Sequence, residues 1–457
     1  MLPRCFVWLF ARSNLLFKLC CVMSAAALGA SGTSYDADSA ERADSTKMTT
    51  ATNQMTLDAV VADVLEHNPE LSFYNAEIAA AKGEARAAAT WSNPELSTTI
   101  GDKRVTGGGL AAEGVAWSVS VRQTFEWPGR IPLRKAIANQ QIQMAELGFG
   151  QFKAALAART RSLAYSLFAA QQKSAAAREV ADRFHALRSV LVQRDPAGIT
   201  PELELRIIEA TQITMLRKTS EALVAEQAAL LELNQLRGQP WQQALRVAPV
   251  GLAFTGAPEP EDLLAAARTN NFEIRMRQAE LEQQGFRVSL ARNERYPAVT
   301  VGPYVSQERA FDRERQIGIG ISIPLPLWNQ NQGNVETAAA RQTQAETSMY
   351  VTQRTIERQV VEKALTYETK LSEMAKWRPE SLAEFRKAAE LADRHYRLGA
   401  VPITTYVELQ KQYLEAVEAL LETRREALEA GQQLELLTGL DIHAVHTNSS
   451  SGNSPKP

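Results

Sequence analysis

The sequence predicts an α+β membrane protein: a duplicated helix–β-hairpin–long helical hairpin unit, giving four strands per chain to a shared β-barrel. Three observations predict it. First, the chain repeats itself: Asn68-Pro69-Glu70-Leu71 recurs 203 positions on as Asn271-Phe272-Glu273-Ile274, and Leu236-Arg237-Gly238 recurs 201 positions on as Leu437-Thr438-Gly439. A period near 200 is too long for a solenoid unit and marks a duplicated multi-element half. Second, each half holds a pair of strand patterns followed by a very long helical pattern. Third, in one strand four isoleucines face one way and only Gly and Ser face the other.

The first 32 residues read as an export signal. Arg4, Arg12 and Lys18 precede an apolar run from Leu19 to Leu28, and small residues follow at Gly29-Ala30-Ser31-Gly32. The run falls short of the roughly 18–20 residues of a spanning helix. All three cysteines (Cys5, Cys20, Cys21) lie inside this segment, without the small residues that precede a lipid-anchored cysteine. Removing it leaves a chain without thiol chemistry and takes the formal charge from −2 to −5. No basic footprint for nucleic acid is present. Residues 33–55 are Ser-, Thr-, Asp- and Ala-rich and predict a flexible linker.

The first repeat is predicted over 56–250. Thr56 is a fair N-cap for a helix from Leu57, Asn68-Pro69 breaks that helix, and Trp91-Ser92-Asn93-Pro94 ends it. Pro94 falls opposite Pro297 of the second half. Leu96–Gly101 is a weak strand, and Val115, Trp117, Val119 and Val121 alternate with Ala116, Ser118, Ser120 and Arg122 in a stronger one. Lys103–Gly114, with Gly107-Gly108-Gly109, is expected to be a loop. Arg134–Gln193 contains no proline and only Gly148 and Gly150 as breakers, so it predicts a helix of roughly 90 Å. A turn at Asp195-Pro196-Ala197-Gly198 returns the chain through a second long helix, Pro201–Leu236, with Pro201 at its start.

The second repeat, 251–442, restates this. Val299, Val301 and Val305 alternate with Thr300, Gly302 and Tyr304; Ile317, Ile319, Ile321 and Ile323 alternate with Gly318, Gly320 and Ser322. A charged loop, Glu308–Arg315, is expected between them. A long helical region then turns at Gly399-Ala400-Val401-Pro402 and returns over Ile403–Leu437. Residues 443–457 are polar and predicted to be disordered.

Branched apolar side chains opposed by small polar ones suit a barrel strand between lipid and lumen. Trp117, Phe125, Trp127 and Trp328 would supply interface aromatics. The plainer alternative is a half-buried antiparallel sheet. Four strands cannot close a barrel, and an open edge in lipid leaves backbone groups unsatisfied. Several chains must therefore contribute, and a conduit needs more than the eight strands whose interior is filled by side chains.

The order of these elements resembles the TolC family of outer-membrane efflux proteins over roughly residues 56–440. Leu57-Asp58-Ala59-Val60 through Asn68-Pro69-Glu70-Leu71 is similar to its first-helix signature. Trp91–Leu96, Gln123–Arg130 and Ile321–Asn334 resemble its cation-efflux (CzcC-like) branch. The resemblance implies a homotrimer with a 12-stranded barrel in outer-membrane lipid and a 12-helix periplasmic tunnel. It further implies a tripartite pump with a periplasmic adaptor (membrane fusion) protein and an inner-membrane transporter of the RND type, exporting heavy-metal cations. Drug efflux and type I protein secretion are the alternatives within the family, and a soluble periplasmic helical scaffold the alternative outside it.

The resemblance also places function on the helix turns. Gly198, Ile199 and Thr200, with Gly399, Ala400, Val401 and Pro402, would close the tunnel and dock the adaptor; the plainer alternative is that the glycines only cap helices. Glu408 matches one acidic aperture position and Thr405 replaces the other. A three-fold ring of Glu408 would attract cations, whereas a solvated surface glutamate is the plain alternative. Ile317, Ile319, Ile321 and Ile323 are the expected lipid-facing residues. The five histidines show no metal-site spacing and no nucleophile elbow, phosphate loop or zinc motif appears. No cofactor and no enzymatic activity are expected.

Overall fold

The computed structural model describes residues 54–107, 110–194, 202–248, 252–310, 312–377, 381–442 and 445–446. The export signal 1–32, most of the linker and most of the tail lie outside the described residues. The first repeat runs β1 (Gln54–Met55), α1 (Leu57–His67), α2 (Glu70–Ala88), β2 (Glu95–Gly107), β3 (Leu110–Phe125), α3 (Arg130–Arg194) and α4 (Glu202–Leu236). β4 (Arg246–Val247) closes the first repeat and β5 (Leu252–Ala253) opens the second. The second runs α5 (Pro260–Asn270), α6 (Phe272–Asn293), β6 (Val299–Arg309), β7 (Arg313–Ser322), α7 (Gln332–Ala375), α8 (Ser381–Arg397) and α9 (Ile403–Thr438), followed by β8 (Val445–His446).

The repeated sequence motifs are clasps. Asn68 ends α1, accepts from the Glu70 N–H and donates through Nδ2 to the Leu236 carbonyl at 2.9 Å. Asn271 caps α6 through the N–H groups of Glu273 and Ile274 and donates to the Leu437 carbonyl at 3.0 Å. Each buried asparagine thus satisfies orphan groups at the start of one helix and the end of another. Gly238 and Gly439 follow at φ +63° and +66°. A Cβ at Gly439 would come within 2.9 Å of Asn270 Cβ, so this seat excludes larger residues as well as favouring a left-handed backbone. The strand-to-helix corners are duplicated too, with Gly129 at φ +92° and Asn331 at φ +63°.

Thr56 Oγ1 accepts from the Ala59 N–H as expected of the N-cap. The helix α3 is continuous for 65 residues, about 98 Å at 1.5 Å per residue. Its stability comes from packing against α2, α4, α6 and α9. Gly150 is a seat within it rather than a breaker: a Cβ there would meet the Phe272 ring at 2.8 Å. The second repeat departs from this continuity. The segment between α7 and α8 contains Pro379, which lacks the N–H an uninterrupted helix requires.

The largest core cluster lies between α3, α4, α8 and α9, with Tyr165, Phe184, Leu187, Ile208, Met215, Leu233 and Tyr406 almost fully buried. Among the described residues no helix is long and apolar enough to cross a membrane.

Four expectations need correction. Lys103–Gly107 and Leu110–Gly114 are strand, not loop, because β2 and β3 stay paired up to Gly107 and Leu110. Glu308, Arg309 and Arg313–Arg315 likewise belong to β6 and β7, which pair as far as Arg309 and Arg313. Charge and glycine suggested loops, but ladder hydrogen bonding continues past the apolar segment. Ile323 falls one residue beyond β7. The linker and tail each hold two strand residues: Gln54–Met55 pair with Arg246–Val247, and Val445–His446 pair with Leu252–Ala253.

Candidate functional site

The sheet is ordered β2-β3-β6-β7 and antiparallel throughout, so the two hairpins join through β3 and β6. β2 and β7 are left as edges within the chain. Register sorts the side chains into two faces. One carries the cross-strand sets Leu96–Val121, Thr98–Val119–Val305–Ile317 and Ile100–Trp117, together with Val301–Ile321, Pro303–Ile319 and Phe125–Val299. The other carries Ser97–Ser120–Tyr304–Gly318, Thr99–Ser118–Ser306, Gly302–Gly320 and Thr124–Thr300. Gly318 is small for a reason, since its Cβ would lie 2.8 Å from the Tyr304 ring.

Among the described residues the apolar face has no cover. Ile317, Ile319 and Ile321 are 73%, 72% and 68% exposed, and Leu96 and Ile100 are 71% and 75% exposed. Exposure of a contiguous branched-apolar face on this scale marks a contact surface. Trp127 stacks on Tyr296 at 4.9 Å and Trp91 meets Phe125 edge-on at 6.0 Å, where the sheet joins the helices.

At the far end of the long helices, the start of α4 and the α8–α9 turn come together. Tyr396, near the end of α8, donates its hydroxyl to Glu204 of α4 at 3.2 Å. Tyr396 also stacks on Tyr406 at 5.4 Å, and Tyr406 meets Phe184 of α3 edge-on at 5.2 Å. Burial and the Glu204 carboxylate push the Tyr396 hydroxyl up to about 12. Burial likewise raises Tyr406. Gln410, fully buried on α9, donates to the Ala389 carbonyl of α8 at 2.8 Å and accepts from Arg183 of α3 at 3.1 Å. Arg183 also pairs with Glu179 at 2.7 Å, and Arg386 of α8 reaches the same carboxylate at 3.1 Å. Three helices are therefore fastened together just inside the turn.

Gly399 has φ +74°; its N–H donates to the Tyr396 carbonyl at 2.9 Å and the Ala400 N–H to that of His395 at 2.8 Å. That is a Schellman cap. No described atom lies within 4 Å of a Cβ at Gly399, so among the described residues the turn is open at that position. Ala400, Val401 and Pro402 complete the turn; Gly198, Ile199 and Thr200 lie outside the described residues. Thr405 and Glu408 are both exposed, a turn apart at the start of α9, while Tyr406 and Val407 between them are buried. Glu408 accepts from Gln412 Nε2 at 3.0 Å. Among the described residues no group of three or more His, Cys, Asp or Glu side chains is placed to hold a metal ion.

The sequence reading missed the Tyr396–Tyr406–Phe184 stack and the Arg183–Gln410 bond, which join residues far apart in sequence. It found the Asn68 and Asn271 motifs without their bonding roles, although their repetition was the available signal.

A four-stranded sheet with two edges, one uncovered apolar face and helices of this length is the architecture of one contributor to a barrel that several chains close. Residues 263–440 match the sequence model of the outer membrane efflux protein family. The fold matches CusC, crystallised in a study of its folding and transmembrane channel formation, at TM-score 0.68 and 14% identity over 85% of this chain and 92% of that one. It matches the outer-membrane channel OprN at TM-score 0.68 and 18% identity over 84% and 89% of the two chains. The Campylobacter jejuni outer membrane channel CmeC matches at TM-score 0.67 and 15% identity over 85% and 86%. No curated protein matches the chain in sequence. Over residues 263–440 the chain is thus similar in sequence to the outer membrane efflux protein family, and its fold is shared with solved outer-membrane channels.

Proposed function

We propose that three copies assemble into a 12-stranded barrel and 12-helix tunnel forming the outer-membrane duct of a tripartite efflux pump for heavy-metal cations. The observation that carries the reading is the pair of sheet edges, β2 and β7, flanking one uncovered apolar face. In lipid every backbone N–H and C=O must be paired, so β7 of one chain must meet β2 of the next. Residues 1–32 act as the export signal, and 56–250 and 251–442 are the two repeats. The duct is passive: an inner-membrane transporter of the RND type supplies the energy and a periplasmic adaptor bridges it to the Gly399–Pro402 turn and to Gly198–Thr200.

Two features support cations as cargo: the similarity of Trp91–Leu96, Gln123–Arg130 and Ile321–Asn334 to the cation-efflux branch, and the exposed Glu408; Thr405, in place of a second acidic residue, leaves one carboxylate per chain. Three symmetry-related Glu408 carboxylates near one axis would repel one another and draw in counter-cations. Planar-bilayer recordings of the trimer test this. Glu408→Gln is expected to lower cation preference and Glu408→Lys to shift it toward anions. Unchanged selectivity in both variants, with assembly confirmed, would place Glu408 on a solvated outer surface. Metal accumulation in cells lacking the protein tests the cargo: unaltered accumulation alongside raised drug sensitivity would overturn the metal assignment.

A further inference from the structure

The charged ends of the two hairpins are sorted by face as sharply as the apolar residues. On β6 and β7, residues of the apolar face continue as Gln307 opposite Arg315, then Arg309 opposite Arg313. The lumen-side set at the same height is Glu308 opposite Glu314. Two like-charged pairs therefore sit back to back, and like charges directly opposite each other destabilise a sheet. The acidic pair is relieved within the chain. Lys103 Nζ reaches across Gly114 to Glu308 at 2.6 Å and lies 3.6 Å from Glu314.

The basic pair has no such relief. Arg309, Arg313 and Arg315 are exposed, and among the described residues none of them forms an ion pair. Among the described residues, the side-chain hydrogen bond made by the three is Arg313 Nη2 to Gln307 Oε1 at 2.7 Å. Arg104 on the same face is paired with Glu113. Directly opposite and diagonal positions hold Cβ atoms within roughly 4.5–8 Å. The three guanidinium groups thus form one cluster: Arg315 is one register step above Ile317 and level with Trp117, and the Arg309–Arg313 pair is one step higher. Guanidinium forks match phosphate oxygens bidentately.

We propose that Arg309, Arg313 and Arg315 form a docking site for the phosphate groups of outer-leaflet glycolipid, binding it at the upper margin of the apolar face. This rests on the outer-membrane reading, which turns the hairpin ends away from the helices and toward the cell exterior. The charge is complementary, and the height is that of headgroups above a hydrocarbon band. An anion there neutralises the Arg309–Arg313 repulsion as Lys103 neutralises Glu308–Glu314. The site would be repeated in each subunit and would anchor the barrel's depth.

The test uses the intact trimer in phosphatidylcholine vesicles doped with bis-phosphorylated lipid A, against vesicles doped with its dephosphorylated form. Bound lipid A is counted by native mass spectrometry and affinity by titration. The wild type is expected to prefer the phosphorylated form. The R309Q/R313Q/R315Q variant is expected to lose about 100-fold, at about fivefold per arginine near an anionic lipid surface. Should that variant fail to assemble, R315Q alone carries the test with an expected loss of about fivefold. Lys103→Gln, at the same height on the lumen face, is expected to leave affinity unchanged. Equal wild-type affinity for both lipids, with channel conductance intact, would overturn the docking site and leave the duct standing. Failure of the wild type to insert would overturn both.

Discussion

Replacing Ile319 by arginine would put a guanidinium in the middle of the apolar face. Ile319 pairs with Pro303, which follows Val301 and precedes Val305 on the same face. Arg315 lies four residues toward the hairpin end and Ile323 four residues toward the helices. At about 3.3 Å per residue and a strand tilt of about 40°, each is roughly 10 Å away along the barrel axis. That sets Ile319 near the midplane of an apolar band about 25 Å tall. An arginine there costs about 2–4 kcal/mol per chain, or about 6–12 kcal/mol for three symmetry-related copies. This approaches the whole stability of an ordinary domain, about 5–15 kcal/mol. The assay is the heat-modifiable trimer band from purified outer membranes, compared with Ser322→Arg on the opposite face. Ile319→Arg should deplete the trimer strongly, while Ser322→Arg should assemble and alter single-channel conductance. Equal assembly of both would refute the assignment of faces, since one of the two charges must lie in lipid if the sheet is a barrel wall.

Three further outcomes are expected. Asn271→Ala removes the α6 cap and strands the Leu437 carbonyl, so it should lower unfolding free energy by about 2–4 kcal/mol in urea titrations followed by circular dichroism. Gly399→Val forces a β-branched residue to φ +74° and adds bulk to the turn, whereas Gly399→Asn adds bulk with less strain; both should assemble yet lose adaptor crosslinks and efflux, and retention of efflux by the Asn variant would reduce the turn to a helix cap. Tyr396 has its pKa raised from 10.0 to about 12, so the folded state holds the proton longer than the unfolded state. Its contribution is therefore complete below pH 10 and lost as pH rises toward about 12. Melting temperatures measured across that range should fall less steeply in Tyr396→Phe.

Much of this fold was legible because it depends on local rules. The period-2 runs at Val115–Val121 and Ile317–Ile321 became strands with the expected faces, since alternation fixes sidedness wherever strands pair. Asn68-Pro69 broke the first helix, and the proline-free stretch after the first hairpin became α3. The unread parts were non-local. Lys103–Gly107 and Arg313–Arg315 joined strands because a neighbouring strand supplied their hydrogen bonds, which residue type does not reveal. The break between α7 and α8 was available at Pro379 but was hidden by analogy with the unbroken first repeat.

The sequence by itself determined the duplication, the alternating faces and the lengths of α3, α4 and α9, because each is set by periodicity and by the placement of proline and glycine. Only the tertiary structure decided that Asn68 and Asn271 clasp Leu236 and Leu437, and that β3 joins β6 to leave β2 and β7 as edges. It alone decided that Lys103 neutralises Glu308 and Glu314 while Arg309 and Arg313 form no ion pair among the described residues. Those outcomes depend on which distant segments meet, and a side chain's partners are fixed by register and packing rather than by its place along the chain.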